Sequence, residues 1–222
     1  MSASELGRFR ALLRDRLGLV FEESRLNALA ETLRRQSAAN GNGCNDYLQR
    51  LSQSFYPDET LRALAPEITV TETYFFRAAE QIRAFVEHAL PQLLADSAGM
   101  RSLRVLSAGC ASGEEPYSLA MAVREAAPEY ARKVSIVAAD VNQAMLQKAR
   151  NACYSEWSLR ELERAQRARW FRASGSSWRL DEQVRRSVVF EERNLADENL
   201  DLWRPASWDA VFCRNVLMYF DP

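Results

Sequence analysis

The sequence predicts an α/β protein: a parallel sheet preceded by a small N-terminal all-helical domain and carrying a small β insertion. Three observations predict it. Beyond residue 100, short apolar strands alternate with helical runs, the order a parallel sheet requires because the chain must cross over before the next strand can align. The first of those strands, Arg104 to Ser107, passes Gly109 and Gly113 and runs straight into a helix. Before Pro66, by contrast, four runs carry helical period. A chain of 222 residues with 47% hydrophobic composition has room for one substantial core plus such an appendage.

From Ser4 to about Val20, Leu6, Phe9, Leu12, Leu13 and Leu17 recur at helical spacing, with Ser4 a suitable N-cap. A second run through Leu26, Leu29 and Leu33 stops at Asn40-Gly41-Asn42-Gly43. Asn45 then caps a third helix bearing Tyr47, Leu48, Leu51 and Phe55. Pro57 and Asp58 open a fourth through Leu61 and Leu64, and Pro66 closes it. Residues 1–66 are therefore expected to be a helical domain, residues 67–77 a linker contributing to the cofactor site, and residues 78–222 the second domain. In the linker, Ile68 to Thr71 is β-branched and reads as extended chain.

A long helix is expected from Ala78 to Leu94, followed by the strand Arg104–Ser107 and a helix from Glu114 to about Ala127. Next come a strand from Val134 ending in Asp140 and a helix from Asn142 to Cys153. Residues 157–186 lose this period. An arginine-rich helix, the turn Ser174-Gly175-Ser176-Ser177 and polar flanks suggest a helix and β-hairpin insertion. Strand pattern returns at Val188–Phe190 and Trp208–Cys213.

Composition excludes several function classes. Formal net charge is −1, and Lys133 and Lys148 are the only lysines among many arginines, so binding to nucleic acid through bulk charge is not expected. Arginine clusters remain suited to an acidic protein surface. No apolar stretch is long enough for a membrane span, and the start MSASELGRFR lacks a secretory segment, so a cytoplasmic location without membrane insertion is expected. Cys44, Cys110, Cys153 and Cys213 are far apart and His88 is the only histidine, too few ligands for a metal site.

The turn Ala108-Gly109-Cys110-Ala111-Ser112-Gly113 lets backbone approach a nucleoside ligand at the carboxyl end of a strand, although it also suits a tight strand-to-helix connection. Asp140, ending the next strand, is placed to accept both ribose hydroxyls or to cap the following helix. The turn has neither the three-glycine pyrophosphate pattern nor a Walker lysine, and Glu114 and Glu115 set negative charge at the helix start. A phosphate would be repelled there, whereas the sulfonium and ammonium of S-adenosylmethionine would not.

Four runs together carry a resemblance: TETYFFR at 71–77, AGCASGEEPYSLAM at 108–121, ADVN at 139–142 and FCRNVLMYF at 212–220. In order and spacing they resemble the signature blocks of the CheR chemoreceptor methyltransferases. The resemblance implies a class I S-adenosylmethionine-dependent methyltransferase fold, with a Rossmann-like parallel sheet. It further implies transfer of methyl from S-adenosylmethionine to glutamate carboxylates in the cytoplasmic methylation region of a chemoreceptor, leaving S-adenosylhomocysteine. Thr71, Thr73, Arg77 and Glu115 would lie at the methionine end of the cofactor and Asp140 on the ribose. Asn194 and Leu195 would flank the adenine, while Asn215 and Val216 line the floor. Arg77 and Tyr219 would stand around the reacting methyl group. For these two the residues alone also permit a surface ion pair and a packed aromatic.

Two departures from the family pattern stand out. The sheet is truncated after the fourth strand, where the family fold has seven, which suggests a fragment with more sheet encoded downstream and an open apolar edge strand. The 174–177 turn is shorter than in relatives that hold a receptor's C-terminal tether peptide there, which argues against tether binding. The alternatives are a non-catalytic regulator that kept the fold, a methyltransferase for another substrate, and a nucleotide-dependent oxidoreductase. The presence of Arg77, Asp140 and Tyr219 argues against the first, and the acidic turn against the last. The arginine-rich stretch from Arg160 to Arg186 and the helical domain are the expected receptor-facing surfaces.

Overall fold

A computed structural model describes residues 2–41, 43–55, 57–97, 101–197 and 201–220. Helix α1 spans Ala3–Leu17 and is capped by Ser2, not Ser4: the Ser2 hydroxyl accepts from the Glu5 amide while Glu5 reaches back to the Ser2 amide. Helix α2 spans Leu26–Ala39. Helix α3 spans Cys44–Gln53 with Gly43 at its cap, so Asn45 lies inside it and Phe55 beyond its end. Helix α4 spans Glu59–Ile68, capped by Asp58. It continues past Pro66: the proline removes one amide donor, but the burial of Leu64, Ala65 and Ile68 holds the last turn. These helices close over Phe9, Leu13, Leu17, Leu33, Tyr47 and Leu48.

The expected long helix after the linker is present in three parts, α5 (Ala79–Ala84), a π-helical turn (Phe85–Ala89) and α6 (Leu90–Asp96). Pro91 cannot donate and would crowd the carbonyl four residues back, and the wider turn just before it relieves that conflict.

Strands β1 (Leu103–Ala108) and β2 (Val134–Asp140) enclose helix α7 (Glu114–Ala126) in sequence. Helix α8 (Gln143–Asn151) follows, capped by the Asn142 side chain on the Met145 amide. It stops short of Cys153, which opens β3 (Cys153–Tyr154). Helix α9 (Arg164–Trp170) leads into a hairpin of β4 (Phe171–Ser174) and β5 (Ser177–Leu180), and β3 pairs with β5 to make a small antiparallel sheet. Helix α10 (Glu182–Arg185), β6 (Val188–Glu192) and β7 (Ala210–Phe212) follow.

The main sheet has the order β6-β2-β1-β7, every pair parallel. Its two faces follow from the period of two: Leu103 and Val105 of β1 face the core under α7, while Leu106 and Ala108 face the opposite cluster with Val137 and Leu202. After β1 the chain steps outward through β2 and β6, then returns to the other side of β1 for β7. That reversal opens a crevice at the carboxyl ends of β1 and β7. Among the described residues β7 lies at one edge of the sheet, with Val211 half exposed.

The helical domain is fastened around this crevice. Asn194 donates to the Arg16 carbonyl at 2.8 Å, Val20 donates to the Tyr219 carbonyl at 2.8 Å, and Leu19 bridges Phe220. On the far side Arg62 pairs with Glu192 at 2.6 Å and Asn142 donates to the Thr69 hydroxyl at 2.9 Å.

Candidate active site

The turn after β1 is built for close approach. Gly109 has φ 71°, and a Cβ there would come within 2.4 Å of Val216 Cγ2. Gly113 has φ 90°, and its Cβ would meet Ala149 Cβ at 2.8 Å. Both positions therefore need glycine, for conformation and for space. The amides of Gly109 and Cys110 donate to the Ala139 carbonyl, that of Ala111 to Asp140, and that of Gly113 to the Cys110 carbonyl. With those donors committed inside the protein, the turn lacks the fan of free amides that a phosphate requires.

Asp140 is buried at the end of β2. Its Oδ2 accepts from the Ala111 amide at 2.7 Å and its Oδ1 from the Asn142 amide at 2.8 Å. Burial pushes its pKa above the usual carboxylate range, opposed by those backbone donors. The Val141 amide is a third backbone donor to this carboxylate, which leaves part of its accepting capacity for a ligand.

The two glutamates at the start of α7 part company, because successive helix positions point about 100° apart. Glu114 turns inward: it is 1% exposed, accepts from the Ser112 and Ser158 hydroxyls, and does not line the cleft. The expectation that both glutamates charge the turn is corrected accordingly. Glu115 does face the cleft. The Ser107 hydroxyl donates to its Oε1 at 2.7 Å and Arg214 Nη1 lies 3.1 Å from its Oε2. Burial raises the Glu115 pKa, countered first by the Ser107 bond and then by the charges of Arg214 and Arg77.

Arg77 reaches the cleft from a constrained turn. Phe75 is fully buried, and its amide donates to the Ser158 carbonyl. Phe76 has φ 55°, and its amide donates to the Ser118 hydroxyl at 2.9 Å. The Arg77 Nη1 donates to the Glu72 carbonyl at 2.8 Å, its backbone carbonyl accepts from Arg214 Nη2, and its guanidinium lies 5.8 Å from the Tyr74 ring.

Around these groups runs a cleft of about 220 Å³, open to solvent. It is lined by Thr71, Thr73, Arg77, Gly109, Glu115, Asp140, Asn194, Leu195, Asn215, Val216 and Tyr219, every site residue singled out from the sequence. Asn215 holds φ 57° just beyond β7, and Tyr219 closes a 3₁₀ turn, Leu217–Tyr219.

Two contributors were missed. Arg214 lies in the quoted FCRNVLMYF run, and its position at the carboxyl end of a strand was the available signal. The helical domain, expected from the sequence only as a receptor-facing surface, supplies a wall through Leu17, Leu19, Val20, Phe21 and Arg25. Among the described residues no group of three or more candidate ligands converges for a metal, and no helix is long and apolar enough to cross a membrane.

Comparison with known proteins agrees with this geometry. Residues 71–222 match the family described as CheR methyltransferase, SAM binding domain. The chain is 39% identical to a probable biofilm formation methyltransferase WspC of Pseudomonas putida, over 96% of its own length and 49% of that protein's. It is 32% identical to chemotaxis protein methyltransferase 2 of Vibrio cholerae, over 96% and 74%, and 31% identical to the chemotaxis protein methyltransferase of Escherichia coli, over 100% and 76%. The chain thus spans about half the length of the first relative and about three quarters of the other two. With a family match over more than half its length and a cleft to suit, this chain belongs to the CheR methyltransferase family.

Proposed function

We propose that the protein transfers methyl from S-adenosylmethionine to glutamate side chains in the cytoplasmic methylation region of a chemoreceptor. The observation that carries this reading is one cleft lined by two carboxylates, Glu115 and the buried Asp140, together with Arg77 and Tyr219. That donor set fits a ligand with a cationic amino-acid end, a ribose and an apolar base. Glu115, Thr71 and Thr73 would hold the amino-acid end with Arg77 lying against it, Asp140 the ribose, and Asn194 and Leu195 the adenine, over a floor of Gly109, Asn215 and Val216. When bound, the cofactor supplies a methyl group already activated by the sulfonium.

What remains for the chain's own residues is alignment. A glutamate carboxylate is ionised at neutral pH and needs no general base. Holding it in line with the methyl group, with water excluded, is worth on the order of 7–11 kcal/mol. Arg77 suits that task because its planar fork can fix a carboxylate with two hydrogen bonds. Tyr219 Oη makes no hydrogen bond to protein among the described residues and is available as a further donor.

In this reading residues 1–66 form the receptor-facing helical unit, 67–77 the strap that presents Arg77, and 78–222 the transfer unit with its 157–186 insertion. Catalysis requires no metal, and the partner is a protein and not nucleic acid. The hairpin between β4 and β5, with strands of four residues each, offers little edge for a tether peptide. The relatives' names divide between chemotaxis and biofilm formation, so the receptor belongs to one of those two kinds of pathway.

The test is transfer of labelled methyl groups to membranes carrying each candidate receptor, followed by alkaline release of methanol. Alkali-labile label on a receptor is the expected result. Absence of label from every receptor, in the presence of bound cofactor, would overturn the reading.

A further inference from the structure

The Tyr74 ring carries two arginines. Arg77, on the cleft lining, lies 5.8 Å from its centroid, and Arg160, from the 157–186 insertion, lies 3.6 Å from it. Arg160 is also held 4.0 Å from the Trp157 ring, and its Nη1 donates to the Trp157 carbonyl at 2.8 Å. Trp157 itself is 65% exposed, unusual for so large a ring, so the stack stands at the protein's surface.

Each guanidinium has one side satisfied and one side open. Arg77 uses Nη1 on Glu72, Arg160 uses Nη1 on Trp157, and the Nε and Nη2 atoms of both make no hydrogen bond among the described residues. A guanidinium packed against rings has fewer conformations to lose when it meets a carboxylate, and its fork accepts that partner bidentately. Because both arginines lie against one ring, they are closer together than two turns of helix, ~10.8 Å. Neighbouring arginines are less suited. Arg167 is engaged with Glu156, and Arg172 donates to the carbonyls of Ala168, Arg169 and Phe171.

We propose that Arg160 is a specificity-determining residue that binds a second carboxylate on the substrate helix, within two turns of the glutamate aligned by Arg77. This rests on the methyl-transfer reading above and deepens it: the preferred substrate is a helix bearing an acidic residue three, four or seven positions from the reacting glutamate, on the same face. Tyr74 is the spacer that sets the distance between the two forks.

The experiment uses the full chain and a cytoplasmic chemoreceptor fragment with a single methyl-accepting glutamate, whose acidic neighbours at those positions are changed one at a time to the amide. With the parental enzyme, one such change is expected to lower kcat/KM about five-fold, the effect of one well-oriented surface ion pair. Arg160→Ala and Arg160→Gln should lower kcat/KM on the parental fragment by a similar factor and abolish the discrimination, with cofactor affinity unchanged. Additive losses in that cycle, at every neighbouring position, would overturn the role of Arg160 while leaving methyl transfer intact. No transfer to any fragment by the parental enzyme would overturn the functional reading and this inference with it.

Discussion

Arg214 Nη1 lies 3.1 Å from Glu115 Oε2, and both side chains are mostly buried. Through Nη2 the same guanidinium holds the Arg77 carbonyl, so one residue braces a cleft-facing carboxylate and the turn that presents Arg77. Arg214→Ala should therefore cost about 2 kcal/mol of stability by stranding Glu115. It should also lower both cofactor affinity and turnover. Adding Glu115→Gln should restore part of the stability, because an amide needs no counter-charge, but none of the affinity. Urea unfolding and calorimetric titration of the single and double variants check this; a double variant no more stable than Arg214→Ala would show that the pair is not what the single change disrupts.

Gly109→Ala tests the cleft floor. The new Cβ must accept φ 71° and a 2.4 Å approach to Val216 Cγ2. The conformational part alone is about 1 kcal/mol, and the contact adds to it. Gly109→Ala/Val216→Ala should recover the steric share only. Thermal unfolding of Gly109→Ala, Val216→Ala and the double variant separates the two, and equal midpoints for Gly109→Ala and the parent would contradict the geometry.

Much of this arrangement was legible locally. Gly109, Asp140 and the strands that end beside them stand out because a strand's period and its terminal residue are neighbours in sequence. The true first cap was legible too: Ser2 has Glu5 three residues on, which Ser4 lacks. Other features depend on contacts across the chain. The inward turn of Glu114 is decided by Ser158, the pairing of Arg214 by Glu115 far earlier in sequence, and the cleft wall at Leu17–Phe21 by how the helical domain docks on Asn194 and Tyr219. The arginine-rich stretch looked like a uniform patch, but Arg167, Arg172, Arg185 and Arg186 are committed within the protein, leaving Arg160, Arg164, Arg169 and Arg179 to meet a partner.

Asp140→Ala should weaken binding of S-adenosylmethionine by about 2–3 kcal/mol, the loss of a charged hydrogen-bonding pair. It also strands the Ala111, Val141 and Asn142 amides, so folded-state integrity must be followed by circular dichroism alongside calorimetry. A folded variant that binds cofactor as the parent does would remove Asp140 from the site.

The pH dependence of binding and of stability should have opposite signs. Glu115 and Asp140 have pKa values raised above the usual carboxylate range, chiefly by burial. A cationic ligand needs the ionised Glu115, so affinity should fall as pH drops through that raised value, and binding should release protons. Stability runs the other way: the folded state holds the Glu115 proton more tightly than the unfolded chain. That contribution is full below the unfolded pKa and lost as pH rises through the folded one. Acidification within this window should thus favour the parent over Glu115→Gln in unfolding while weakening its cofactor binding. Calorimetry in buffers of different ionisation enthalpy reads the proton release, and its persistence in Glu115→Gln would assign it elsewhere.

Arg77 is the residue expected to matter most for the chemical step. Its turn is fixed on both sides, by the buried Phe75 and by the Phe76 amide on Ser118, so its guanidinium does not sample the surface as a free arginine would. Nη1 is held by Glu72, which leaves the Nε and Nη2 edge to face a carboxylate. If that edge aligns the substrate, Arg77→Lys keeps the charge but loses the fork, and turnover should fall by about two orders of magnitude with cofactor affinity nearly unchanged. If the edge instead grips the cofactor's own carboxylate, Arg77→Ala should weaken cofactor binding and turnover together. Methyl transfer under saturating cofactor, measured beside calorimetric affinity for both variants, separates the two roles. A folded Arg77→Ala protein that binds cofactor and methylates a receptor at the parental rate would falsify the assignment.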